Sequence, residues 1–148
     1  MVTLPVYTKA RVAAPKEIAL EAPTLARNIA EAAADRKGLD IIIIDVRGRT
    51  SYTDFIILVS GTSDRHVQAL AEGIESDLAQ QGERCIGREG LREGQWALVD
   101  FAHVMVHVFH AFTRDLYALE TMWRDAPQER IASQEPMPQL GQWAASHP

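Results

Sequence analysis

Residues 52–71, YTDFIILVSGTSDRHVQALA, constrain the fold more than any other stretch of this chain. Phe55 to Val59 form an uninterrupted apolar run rich in β-branched residues, and Ser60-Gly61-Thr62-Ser63-Asp64 ends it. A strand with one wet face alternates apolar and polar residues, so this run reads as a strand buried on both faces. A helical period follows, with Val67, Leu70, Ala71, Ile74 and Leu78 on one stripe. Thr62 or Ser63 can cap this helix by accepting from a free N–H of its first turn, and Asp64 sits at the positive end of its dipole. Strand, tight turn and helix make the central part of a βαβ unit.

A second run of the same kind covers residues 39–46, with Ile41-Ile42-Ile43-Ile44 at its centre. The polar loop at residues 47–51 is too short for a crossover, so the two strands should be antiparallel. Before them, Pro23-Thr24 opens a helix with Leu25, Ile29 and Ala32 or Ala33 as its stripe and Gly38 as its stop. After the long helix, residues 83–87 suggest a short edge strand, and residues 88–94 a charged, glycine-rich loop. Trp96 to Asp100 and His103 to His110 follow, joined by a tight turn at Phe101-Ala102, and read as a β-hairpin. In its second strand Val104, Val106 and Val108 face one way and Met105, His107 and Phe109 the other. Thr113 is placed to cap a last helix with Leu116, Leu119 and Met122 or Trp123 as its stripe, stopped by Ala126-Pro127.

The expected fold is therefore α/β (α+β), a mixed β-sheet flanked by helices, in one domain over residues 23–125. Residues 1–22 read as a flexible arm, and residues 126–148, rich in Gln, Pro and Ser, as a disordered tail. The basic residues of the arm are interrupted by Glu17 and Glu21, unlike a targeting peptide.

The chain of 148 residues carries a net charge of −5. Residues 38–125 hold 8 Lys and Arg against 14 Asp and Glu. An acidic body disfavours binding to nucleic acid through its phosphates and suits a basic protein partner. One cysteine, Cys85, leaves no intrachain disulfide and no cysteine-cluster zinc site. No apolar run approaches the ~20 residues of a membrane span.

Candidates for chemistry are few. His103 and His107 share a strand face but lie four residues apart, too far to chelate together, and His110 faces the other way. No metal site is expected, and the histidines read as polar positions on the exposed face of the hairpin. The Ser60 to Asp64 turn has N–H groups that can hold a phosphate, but it lacks the glycines and lysine of a P-loop. Asp45, Asp54 and Asp100 are isolated strand-end carboxylates. Cys85 lies beside Arg84, which favours its thiolate, but no base is positioned by the sequence. Aromatics gather late in the chain: Trp96, Phe101, Phe109, Tyr117 and Trp123. Residues of this type anchor interfaces, and Trp96 and Phe101, at the ends of a hairpin strand, are expected at the surface.

Two blocks, DIIIIDVRGRTSYTDFIILVSGTSDRHVQALA and GREGLREGQWALVDFAHVMVHVFHAFTRDLYALETMW, closely resemble the ribosomal silencing factor family, also called Iojap. The resemblance runs over residues 40–123. It implies a nucleotidyltransferase-like fold without the catalytic carboxylates, no enzyme activity, no cofactor and a cytoplasmic location. It also implies binding to the large ribosomal subunit through ribosomal protein L-fourteen, blocking its joining with the small subunit and repressing translation. Carried over to this sequence, the contact surface involves Trp96, Asp100, Phe101, His107, Phe109 and Tyr117. Thr53, Asp54, Arg65 and His66 belong to the family's signature turn. Truncating Trp96 or Phe101 is then expected to weaken partner binding and spare the fold. The family usually has Gly-Asp after Phe101, where this chain has Ala102-His103. Two other readings compete: nucleotide binding or nucleotidyl transfer at the Ser60 to Asp64 turn, and a factor for large-subunit assembly. A homodimer through an exposed strand edge is compatible with the pattern.

Overall fold

In the computed structural model, which describes residues 21–90, 94–111, 113–114 and 119–131, the two apolar runs are neighbours in the middle of one sheet. They form β1 (Leu39–Asp45) and β2 (Phe55–Gly61), antiparallel, with Ile42 opposite Leu58 and Ile44 opposite Ile56. The chain then crosses over through α2 (Asp64–Gln80), preceded in sequence by α1 (Ala22–Asp35). It returns through β3 (Gly87–Glu89) and β4 (Trp96–Asp100) to β5 (Val104–His110), which lies parallel to β2. Beyond β5 come the short helix α3 (Leu119–Met122) and β6 (Gln128–Ile131). The six strands are ordered β3-β4-β5-β2-β1-β6.

Both faces of the sheet are covered, which is why the central strands need no polar alternation. On one face α1 and α2 press Leu25, Ile29, Ala33, Val67, Leu70, Ile74 and Leu78 onto Ile41, Ile43, Ile57, Val59, Val99, Val106 and Val108. On the other, Ile42, Ile44, Ile56, Leu58, Leu98 and Met105 pack with Leu119 and Ala126.

α1 ends with the Gly38 N–H donating to Ala33 O and the Lys37 N–H to Ala34 O, a Schellman closure. Its left-handed residue is Lys37, at φ 64°, not the expected Gly38. Gly38 is required by space instead, since a Cβ there would meet Val59 Cγ1 at 2.7 Å. The short edge strand lies at Gly87–Glu89, displaced from the expected 83–87, because its partner β4 sets its register. The backbone is already helical at Ala111, so Thr113 lies inside that turn rather than at its cap. The tail expected to be disordered from residue 126 opens with β6, a strand with no apolar pattern of its own. It forms because β1 offers it a free edge, pairing Ile41 with Ile131 and Ile44 with Gln128. Tyr117, Leu116, residues 1–20 and the tail beyond Ile131 lie outside the described residues.

Candidate partner-binding site

Strand register gathers part of the expected contact set. Trp96 lies opposite Phe109, Leu98 opposite His107 and Asp100 opposite Met105. These residues therefore share the face away from α1 and α2. The His107 ring centroid is 5.8 Å from that of Trp96 and 6.0 Å from that of Phe109, on which it stacks with planes 6° apart. Trp96 and Phe109 are 6.3 Å apart, tilted by 40°.

This cluster is interior. Trp96 is 6% exposed and Phe101 5%, against the expectation that both lie at the surface. Trp96 follows the alternation of β4 inward, and the glycine-rich loop backs onto it. Gly90 takes φ 78°, and a Cβ there would overlap the Trp96 carbonyl oxygen. Phe101 continues the alternation of Ala97 and Val99 and joins the opposite, helix-side core. Trp96 and Phe101 thus lie on opposite faces of the sheet, and no flat partner surface touches both side chains.

The histidines separate in the same way. His107 is buried rather than on an exposed face, and burial pushes its pKa down to about 4. Its Nδ1 has no hydrogen-bond partner among the described residues. His103 is at the surface, with Nδ1 3.0 Å from Asp54 Oδ2. The His103 carbonyl accepts from the N–H groups of Asp54 and Phe55 at 3.0 and 3.1 Å, so the hairpin turn is tied to the start of β2. Thr53, buried beside it, donates Oγ1–H to the Phe55 carbonyl at 3.3 Å. Asp100 is fully buried, and its Oδ1 accepts the Ala102 N–H. Among the described residues, no group of three or more His, Cys, Asp or Glu is placed to hold a metal ion.

Arg65 and His66 sit at the other end of β2, roughly 20 Å away at ~3.3 Å per residue. His66 is structural. Its Nδ1 accepts the Thr62 N–H at 2.9 Å, so the ring hydrogen is on Nε2, which donates to Arg36 O at 3.0 Å. The His66 N–H donates to Ser63 Oγ, and Ser60 Oγ accepts from Arg114. Gly94, at φ 67°, lies against Asp64 so closely that a Cβ would meet it at 2.6 Å. The Thr62 N–H and the Ser60 and Ser63 hydroxyl oxygens are thus used internally, and Gly94 packs against the start of α2. That is poor geometry for a phosphate.

The carboxylates are dispersed as well. Asp45 pairs with Arg47, whose hydrogen bonds hold that carboxyl below its ordinary pKa. Cys85 is half-buried, and burial, helped by Glu75, pushes its thiol up to about 11. Arg84 therefore does not make it a thiolate at neutral pH.

One residue gave no sequence signal. Arg114 is 5% exposed and donates from Nη1 to the Asp40 carbonyl at 2.6 Å and to Ser60 Oγ at 2.8 Å. An arginine next to a helical pattern reads as solvated until the fold places β1 and β2 around it.

A six-stranded mixed sheet with two long helices on one face defines an α+β domain. A crystal structure of a Chromobacterium violaceum protein superposes with a TM-score of 0.70 at 34% identity, covering 79% of this chain and 98% of that one. Residues 19–147 match the family described as "Ribosomal silencing factor during starvation", and the chain belongs to that family. The ribosomal silencing factor of Bacillus subtilis is 39% identical over 98 residues, 66% of this chain and 83% of that protein. A mouse relative, "Mitochondrial assembly of ribosomal large subunit protein 1", is 32% identical over 87 residues, 38% of its length.

Proposed function

We propose that this chain binds the large ribosomal subunit through ribosomal protein L-fourteen and represses translation by obstructing subunit joining, without catalysis. The observation that supports this reading is the family match across residues 19–147, which takes in every strand of the sheet. A steric blocker needs an anchor and bulk, and no reacting group. The exposed groups at the hairpin turn, Asp54 and His103, make the contact, and the aromatic cluster of Trp96, His107 and Phe109 stiffens the hairpin further along its strands. Acidic residues outnumber basic ones in this body, which favours a basic protein contact over rRNA phosphates. The same reading places the protein in the cytoplasm of a bacterial cell.

Co-sedimentation with isolated large subunits, small subunits and joined ribosomes tests this. Migration with large subunits alone, with loss of joined ribosomes, is the expected result. Absence from every ribosomal fraction overturns it. The mouse relative's printed name favours a second reading, large-subunit assembly. Preference for immature over mature large subunits in the same gradients would select that reading.

A further inference from the structure

The pair at the hairpin turn has hydrogen-bonding capacity left over. His103 Nδ1 lies 3.0 Å from Asp54 Oδ2, and the two side chains are 61% and 39% exposed. An ionised carboxylate only accepts, so the ring hydrogen of a neutral His103 sits on Nδ1 and leaves a lone pair on Nε2. Neither that Nε2 nor Asp54 Oδ1 has a hydrogen-bond partner among the described residues. The neutral pair therefore offers two acceptors to whatever meets the turn. Backbone bonds, not the ring, hold this arrangement. The His103 carbonyl accepts from the N–H groups of Asp54 and Phe55, and the His103 N–H donates to Phe101 O. Replacing the imidazole leaves those bonds in place.

The other charged groups at this end are engaged or fixed. Arg47 feels the Asp54 charge, but Asp45 holds its guanidinium at 3.0 and 2.8 Å, over the Phe55 ring. Arg49, on the same loop, acts on Asp45. Asp100, at the end of β4, is buried and accepts the Ala102 N–H. Arg124 and Asp125, of opposite sign, precede Pro127, whose carbonyl accepts from the Asp45 N–H. Carboxylates and guanidiniums are not the groups that change charge near neutrality; histidine is. A proton on His103 turns Nε2 from acceptor into donor and sets a positive charge against that of Asp54.

We propose that Asp54 and His103 form a two-acceptor site for one arginine or lysine of a basic protein partner, and that a proton on His103 closes it. This deepens the ribosome reading and rests on it. With His103 neutral, the partner's cation meets a carboxylate and a lone pair, and its bond to the carboxylate is charge-assisted. With His103 protonated, the same cation meets an N–H donor and a like charge. An ion pair as exposed as this one adds little to folding, so the proton acts on binding and not on the fold.

Association of the full chain with isolated large subunits, titrated at pH 8 and pH 5.5, tests the site. His107, at about 4, stays neutral over that range. The parent is expected to bind about tenfold more weakly at the lower pH. His103→Gln keeps an acceptor but takes up no proton. It is expected to bind less well than the parent at pH 8 and to lose little more at pH 5.5. His103→Arg is expected to bind weakly at both. Parental hydrogen exchange at the Asp54 and Phe55 amides shows that the turn is intact in each variant. Where a variant's turn is not intact, the parent decides. Its binding at pH 6.5, followed by calorimetry in buffers of different ionisation enthalpy, should release protons, and no release overturns the inference. Equal parental affinity at both pH values, or a His103→Gln variant with the parent's loss, overturns it too and leaves the ribosome reading standing. A parent that binds at neither pH overturns that reading, and this inference falls with it.

Discussion

The Ala102 N–H donates to Asp100 Oδ1 across 2.7 Å, and this bond folds the hairpin turn around a residue at φ 73°. The His103 N–H donates to the Phe101 carbonyl at 2.9 Å, closing a γ-turn centred on Ala102. A side chain in the left-handed region costs about 1 kcal/mol or more, and glycine avoids it. Glycine also adds unfolded-state entropy of about 0.4–1 kcal/mol, which offsets part of the gain. Ala102→Gly is expected to stabilise the protein by roughly 0.5 kcal/mol. Urea denaturation should show a higher midpoint at an unchanged slope. A lower midpoint would mean that the turn is not strained.

Trp96→Ala and Phe101→Ala are expected to cost about 3–5 kcal/mol of stability each, since each removes a large buried side chain. The two lie in separate cores on opposite faces, so their effects should add within about 0.5 kcal/mol. Denaturant titration of both single variants and the double variant measures this. Any loss of ribosome binding in these variants has to be separated from loss of fold. A variant with parental stability would place its aromatic at the surface after all.

The misplacement of Trp96 shows where sequence reasoning ran out. Isoleucine runs announced β1 and β2 because burial on both faces leaves no polar positions. The alternation of Val104, Val106 and Val108 with Met105, His107 and Phe109 announced the two cores. Trp96 has the residue type of an interface anchor, yet its place in a strand with no polar interruption before Asp100 points inward. β6 was illegible for a different reason. Gln128, Glu129 and Arg130 carry no apolar pattern, and the strand exists because β1, Arg27 and Asp40 are brought to it by the rest of the fold. Arg114 was hidden likewise, since both of its named acceptors come from distant strands.

His107 links stability to pH. Burial lowers its pKa in the fold to about 4 from an ordinary 6.5. Between those values the unfolded chain binds the proton and the folded one does not, so stability rises with pH across that window. The contribution is complete above about 6.5 and is lost as pH falls through about 4. The linked free energy is on the order of 3 kcal/mol. His107→Phe should flatten the stability profile between pH 4 and 6.5, measured by urea midpoints in a pH series. An unchanged slope in the variant would assign the dependence to another group.

Asp54 and His103 offer the complementary test, because they are exposed where the aromatics are not. Asp54→Arg and His103→Arg should change stability by no more than about 0.5 kcal/mol. Each should weaken association with large subunits by about tenfold, equivalent to ~1.4 kcal/mol. Binding titrations at two salt concentrations check this, with a smaller effect expected at high salt. Parental affinity in both variants would move the contact away from the hairpin end.

Arg114 joins three parts of the chain through one nitrogen: its own helical turn, the Asp40 carbonyl at the start of β1 and Ser60 on β2. Removing it leaves two acceptors without that donor, while removing the Ser60 hydroxyl takes one acceptor from a buried guanidinium. Arg114→Met and Ser60→Ala are each expected to cost about 1–3 kcal/mol. Because the two groups touch, the double variant should cost less than the sum, with a coupling of about 0.5–3 kcal/mol. A double-mutant cycle by urea denaturation measures it. Arg114→Lys should not restore the parent, because one ammonium lacks the planar fork that fits these acceptors. Strict additivity would mean that Arg114 stabilises the sheet by packing alone, and that the Ser60 bond contributes nothing net.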